Sequence, residues 1–300
     1  MKGQLMFRIS IFATLVILIS SLPVQAQEVV FATDFDDLSL GLTENPPVPG
    51  QDGWTAIFHP GNSFGEIQDV VANGGNAIHQ FTDITNTNGQ QSIDSRFYDP
   101  VNVSSAVEII FDIDFNAQSS DLTTQNSYAA SAGIFGDGQL FSFSIGSGNG
   151  PVREDVGVSV GLSTFNGTDN NIPLGISVGQ NLAWEEWHSV QLTANLQTLE
   201  WVSISVNGAS QSLSGIDLPR NFNAGGPFTP TFFDEVSLQV VNIENFGDET
   251  SDSIFFDNLS LAVISVPEPS SFAVIGLLGI AASLSRRRKF KPATHAERAK

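Results

Sequence analysis

From residue 107 the chain reads V-E-I-I-F-D-I-D-F. Ile109, Phe111, Ile113 and Phe115 fall on one side of an extended backbone, and Glu108, Ile110, Asp112 and Asp114 on the other. A period of two marks a strand with one buried face. Short alternating segments recur over 132–145, 155–165, 188–194, 199–206, 236–243 and 253–264. Asn207-Gly208 predicts a tight hairpin turn into residues 211–213, because Asn and Gly tolerate the positive φ such a turn needs. Residues 41–53, 84–92 and 166–181 are rich in Gly, Asn, Thr or Pro and read as long polar loops. Between residues 27 and 265 no helical period, internal repeat or dividing linker is found. About twelve strands in one span predict a single all-β sandwich.

The two ends break the pattern. Met1-Lys2 and Arg8 precede an apolar run from Ile9 to Leu22, and Val24-Gln25-Ala26 follows. A charged start, a greasy stretch and a small-x-small exit resemble a secretory signal peptide over residues 1–26. It would form a helix and be cut after Ala26, with the Sec export machinery and signal peptidase as partners. An N-terminal anchor is the alternative. Near the other end, Ser270 to Ser285 is a small-residue apolar stretch of 16 residues. As a helix it is roughly 24 Å long, a short transmembrane span. Arg286, Arg287, Arg288 and Lys289 follow at once, and would stay cytoplasmic by the positive-inside rule. The body before the helix would then lie on the outer side.

Val266-Pro267-Glu268-Pro269, the apolar helix and the Arg cluster, in that order, resemble the sorting tail of PEP-CTERM exported proteins. That resemblance implies an exosortase as partner. It also implies transient anchoring in the inner membrane, then removal of the tail on the way to the cell surface or extracellular matrix. Residues 266–291 are the tail and 292–300 a cytoplasmic remainder. Pro267 and Pro269 keep their neighbours extended and out of the helix, a shape a membrane-embedded enzyme can grip. A plain single-pass anchor is the alternative.

Composition sharpens the picture. The 300 residues include no Cys, which excludes disulfides, zinc–thiolate sites and a Cys nucleophile. Apolar residues make up 41%, enough for a real core, and the 23 Phe favour sheets. Between residues 27 and 265, thirty acids face three basic residues, Arg96, Arg153 and Arg220, leaving a formal charge of −27. A body so acidic repels nucleic acid and anionic membrane surfaces, and attracts divalent cations.

The body carries looser resemblances. The opening "DFDDLSLGLTENPPVPGQDGW" and the late "SIFFDNLSLAVI" are similar to the first and last strands of jelly-roll carbohydrate-binding modules. "WHSVQLTANLQTLEWVSISVNG" looks like a strand pair of concanavalin-A-like or laminin-G-like sandwiches. The implied fold is one jelly-roll (concanavalin-A-like) β-sandwich over residues 27–265. In those modules the first and last strands pair, and their acids often hold a structural calcium. Asp36 and Asp257 match those positions, with Asp34 and Asp37 as neighbouring spares; turn caps facing water are the alternative. Sugar binding needs aromatic platforms beside amides and carboxylates. Trp54, Trp184, Trp187, Trp201 and Tyr128 are the candidates, against burial in the core, which Trp187 at the start of a strand favours; Trp54, Trp184 and Trp201 are kept as the platform. Glu108, Asp112 and Asp114 share one strand face, loosely like the catalytic strand of laminarinase-like sandwiches, but the Glu-x-Asp-x-x-Glu spacing is absent. No nucleophile elbow is present. The expected function is therefore a non-enzymatic exported protein that binds extracellular polysaccharide, with calcium as a structural ion. A glycan-active hydrolase and a purely structural matrix component are the alternatives.

Overall fold

The computed structural model describes residues 26–42, 53–58, 64–82, 91–120, 122–123, 127–136, 139–146, 157–165, 173–218, 230–243 and 252–265. The expected signal helix, the sorting tail and its Arg cluster lie outside these residues. No described helix is long and apolar enough to cross a membrane.

Gln27–Ser265 forms one compact unit. Its described elements are strands: β1 (Ala26–Thr33), β2 (Gly41–Leu42), β3 (Trp54–Phe58), β4 (Phe64–Gln68), β5 (Ala77–Thr82), β6 (Gln91–Asn102), β7 (Ala106–Ser119) and β8 (Ser127–Gly136). They continue with β9 (Gln139–Gly146), β10 (Val158–Phe165), β11 (Pro173–Leu182), β12 (Trp187–Asn195), β13 (Glu200–Val206), β14 (Ala209–Asp217), β15 (Phe232–Ile243) and β16 (Asp252–Ser265). They build two sheets. The nine-stranded sheet runs β14-β13-β12-β7-β16-β5-β4-β2, with β1 also pairing β16. The seven-stranded sheet runs β11-β10-β9-β8-β15-β6-β3. The first and last strands of the body thus pair, as the carbohydrate-binding-module resemblance implied.

The core lies between the sheets. On β7, Ile109, Phe111, Ile113 and Phe115 are buried, as the alternation predicts. Ile134, Phe143, Val160, Val236 and Leu238 approach from the seven-stranded sheet, and Phe111 meets Phe143 at 6.3 Å between ring centroids. Burying such side chains contributes about 1.5–3 kcal/mol each. This core, without disulfides, holds the sandwich together.

Three local findings differ from or refine the sequence reading. The segment read over 132–145 is two strands, β8 and β9, joined as an antiparallel hairpin. The polar loop expected over 166–181 contains much of β11, whose Gly-, Ser- and Pro-bearing sequence carries little strand signal. In β13, Trp201 pairs with Ala194 but Ser203 pairs with Thr193, so Val202 is an extra residue, a β-bulge. The bulge shifts the phase of the strand. Asn207 (φ 51°) and Gly208 (φ 78°) form the expected turn into β14. Asn207 pins that turn to β12: its Oδ1 accepts from the Ser189 amide at 3.0 Å, and its Nδ2 donates to His188 Nδ1 at 3.0 Å.

Candidate functional site

Glu108, Asp112 and Asp114 lie on the outward face of the nine-stranded sheet, opposite the core side of β7. Neutral donors from neighbouring strands and from the turn before β5 hold the two aspartates. Gln191 Nε2 donates to Asp112 Oδ1 at 2.8 Å, and the Ser260 hydroxyl to Asp112 Oδ2 at 3.4 Å. Asn73 and Asn258 donate their side-chain amides to Asp114 Oδ2 at 2.7 and 2.9 Å. The stripe reads chemically as a hydrogen-bonded ladder. Beyond β16 the face turns aromatic: Phe64 stacks on Phe81 at 4.8 Å and His79 on Phe255 at 4.2 Å, with His79 Nδ1 2.9 Å from Glu66.

Asp257, in β16, stands directly across from Asp114. It is 2% exposed. Burial, first, pushes its carboxyl up to about 6; the Asn258 and Asn73 amides pull it back, and the charges of Asp114 and Asp36 push it further. Those amides reach it at 2.7 and 3.2 Å. Asp36, in the turn after β1, accepts from the Asn76 amide at 2.6 Å. Gly75 lets the turn before β5 lie against Asp36: a Cβ there would meet Asp36 Oδ1 at 1.6 Å. The structure thus sets Asp36 and Asp257, two of the three expected calcium ligands, at one place, where their charges interact. Asp34 is exposed and caps the turn, its Oδ1 accepting from the Asp36 amide at 3.2 Å. Among the described residues no three His, Asp or Glu side chains gather closely enough to hold a metal ion.

The tryptophan platform is corrected. Trp54 is 2% exposed and packs against Phe35 at 5.6 Å. Trp201 is 1% exposed, turned to the core side with Ile204 by the bulge at Val202. A ring sealed in the core presents no face to a sugar. Trp184 is half-buried and packs against the same core from the turn before β12.

Sequence reasoning missed the outward face of the seven-stranded sheet. On β6, Asp94 pairs with the core residue Leu238 and accepts a hydrogen bond from Gln80 of the opposite sheet, so it points inward. Arg96 shares that side, with its guanidinium 4.4 Å above the Phe31 ring. Ser95, between them, points outward. It begins a row, Ser95–Ser237–Gly133–Ser142, across β6, β15, β8 and β9. A second row, Gln239–Ser131–Ser144–Gly161, crosses β15, β8, β9 and β10. At the usual strand spacing each row is about 14 Å long. Ser144 is exposed, whereas Ser95 (1%) and Ser142 (6%) are buried although they point away from the core. The Ser95 hydroxyl lies beside the Glu235 carboxyl on the next strand. Burial foremost raises the Glu235 pKa, a hydrogen bond from the Ser95 hydroxyl lowers it, and Asp234 raises it again.

A PEP-CTERM protein-sorting motif matches residues 265–289. The motif marks an exported protein and implies processing by an exosortase. No curated protein sequence matches the chain. Among solved structures, a mutant of alginate lyase Aly36B in complex with alginate tetrasaccharide superposes with a TM-score of 0.51 at 11% identity, covering 79% of this chain and 98% of its own. An endo-β-1,4-glucuronan lyase from Trichoderma reesei gives 0.48 at 9% identity over 78% and 95%. The CBM2 module of the evolved Dit protein of Lactobacillus casei BL23 phage J-1 gives 0.47 at 15% over 81% and 98%. The body therefore shares the β-sandwich fold of jelly-roll polysaccharide lyases. This corrects the expectation of a non-enzymatic protein, which rested on missing hydrolase motifs. The fold houses polysaccharide cleavage in Aly36B, so those missing motifs do not exclude catalysis.

Proposed function

We propose that this exported protein binds extracellular polysaccharide on the outward face of its seven-stranded sheet. The observation that carries the reading is the pair of inter-strand rows of Ser, Gly and Gln on that face, in which Ser144 is exposed and Ser131, Ser237 and Gln239 are half-buried. Their hydroxyl and amide groups can exchange hydrogen bonds with sugar hydroxyls. The shared fold of Aly36B supports the same class of ligand. The signal peptide and the short apolar helix of the tail deliver the body across the inner membrane and hold it there until the exosortase acts. Calcium enters as a structural ion that Asp36 and Asp257 would hold. It would offset the mutual repulsion of their carboxylates and tie the turn after β1 to the last strand.

Ser144→Trp tests the face. Ser144 is exposed, so the larger ring fills the row without invading the core. Retention on the producing cell's own polymer, read by affinity electrophoresis, is expected to drop at least tenfold at unchanged melting temperature. Ser210→Trp, at an exposed position of β14 in the other sheet, is expected to leave it intact. Loss with the Ser210 variant and not the Ser144 variant would move the site to the nine-stranded sheet.

A further inference from the structure

We infer that the exported body has a cyclised N-terminus and no primary amine, because Gln27 closes to pyroglutamate once the signal peptide is cut. This rests on cleavage after Ala26, and adds a modification at the residue the cut exposes. Between Gln27 and Ser265 the chain has no Lys; its basic residues are Arg96, Arg153 and Arg220. Lys2 lies in the signal peptide, and Lys289, Lys291 and Lys300 lie beyond the sorting motif. The α-amine made by the cut is then the only amine of residues 27–265.

The side chain beside that amine decides its chemistry. A glutamine can fold its amide carbon back onto its own nitrogen and close an unstrained lactam, with the reacting atoms held together in one residue. The amine nitrogen bonds to Cδ and the Cδ–Nε2 bond breaks. The proton lost by the amine leaves with that nitrogen as ammonia. Nothing is oxidised or reduced, and no co-reactant is needed. An α-amine gives up its extra proton at about pH 8, so part of it is nucleophilic at neutral pH. The compact body begins at Gln27, which is exposed at the head of β1 and leaves its side chain room to turn back.

The structure gives the lactam a consequence. Gln27, Glu28 and Val29 are all exposed, Val29 by 59%, and would offer an aminopeptidase its entry. Phe31 follows, buried at 6% exposure, stacked on Tyr98 at 5.6 Å and beneath the Arg96 guanidinium at 4.4 Å. Trimming through Phe31 removes this ring from the core and loosens β1 from β16. A lactam presents no terminal amine or charge to such an enzyme, so trimming does not begin. A body without amines also forms no Schiff bases with the reducing ends of sugars around it.

The protein released by the producing cells, made from the full chain, would be examined by intact and peptide mass and by labelling with an amine-reactive ester. The expected chain begins at residue 27 and is lighter than its linear form by one ammonia. Label within residues 27–265 is expected to be about tenfold lower than in Gln27→Ser, which keeps Val24-Gln25-Ala26 and cannot close the ring. Aminopeptidase is expected to leave the natural protein whole, and to shorten Gln27→Ser and lower its melting temperature. A chain that begins at Gln27 with a linear, labelled terminus overturns the inference and leaves the cleavage reading standing. A first residue other than Gln27 removes the cleavage reading itself, and the inference with it.

Discussion

Acid should strengthen the sandwich locally at Asp257, against the usual trend for an acidic protein. Asp257 is buried on β16 opposite Asp114, and its carboxyl sits at about 6 against 3.8 for a free aspartate. The folded state therefore holds a proton between these values that the unfolded chain has lost. Stability from this group is fully present below about pH 4, and drains away as pH rises through 6. A gap of this size corresponds to about 3 kcal/mol between the two limits. The perturbation is Asp257→Asn, which fixes the side chain in a neutral form. Asparagine cannot accept from both the Asn73 and Asn258 amides as the carboxylate does, so the variant carries a constant penalty of about 1–3 kcal/mol. That penalty does not vary with pH, and the difference between the two proteins isolates the titration. Urea unfolding at pH 4, 5, 6 and 7.5 in EDTA is the assay. Wild type is expected to gain on the variant by up to about 3 kcal/mol from pH 7.5 to pH 4. Parallel curves would refute the reasoning, as would a gain in the opposite direction. Added calcium supplies a second reading: an ion on Asp36 and Asp257 stabilises their charged forms, so at pH 7.5 it would flatten the slope in wild type and leave the variant unchanged.

Chelation alone gives a simpler test of the ion, since a ligand bound only to the folded state raises its melting temperature; an identical midpoint in EDTA and in millimolar calcium removes calcium from the account. Gly136→Ala drives a Cβ to 2.0 Å from the Phe232 carbonyl oxygen and 2.6 Å from Phe233 Cα, both backbone atoms of β15. Relief needs a strand to move, so a loss of about 3 kcal/mol is expected, or roughly 6–12 °C in calorimetry. Trp201→Ala leaves a large cavity and is expected to cost about 3–5 kcal/mol in denaturant unfolding, far more than loss of a surface platform would. Asn207→Ala strains a residue at φ 51° and frees two bonded groups, whereas Asn207→Gly keeps the turn; the alanine variant is expected to melt lower than the glycine variant.

The strands that announced themselves were those with one greasy and one polar side. On β7 the alternation of Ile and Phe with Asp and Glu fixes which face is buried, and Asn207-Gly208 fixes the turn after β13. Strands of the seven-stranded sheet give a weaker signal because Ser, Gly and Ala occupy their outward positions. Their hydrophobic contrast is low, which is why β8 and β9 merged and β11 read as a loop. The candidate face was invisible for a deeper reason. Ser95, Ser237, Gly133 and Ser142 are far apart along the chain, and only inter-strand register makes them neighbours. Trp201 shows the opposite failure: a strict period of two puts it on the opposite side from Val202 and Ile204, and the extra residue Val202 turns it to the core side instead. Asp36 and Asp257 come near each other because the first and last strands pair, as the resemblance to carbohydrate-binding modules implied. Asp114, across from Asp257, read in the sequence as part of a carboxylate stripe on β7 instead.

The order of synthesis and the order of the nine-stranded sheet conflict. β16 is made last among the strands, yet it lies inside the sheet, between β7 and β5, and also holds β1. Until residues 252–265 arrive, β7 and β5 have no common neighbour and the first strand has no seat. The sheet therefore closes only when the segment just ahead of the sorting motif joins it. A chain that stops short of residue 252 lacks its keystone, so folding of the body reports that synthesis has reached the tail.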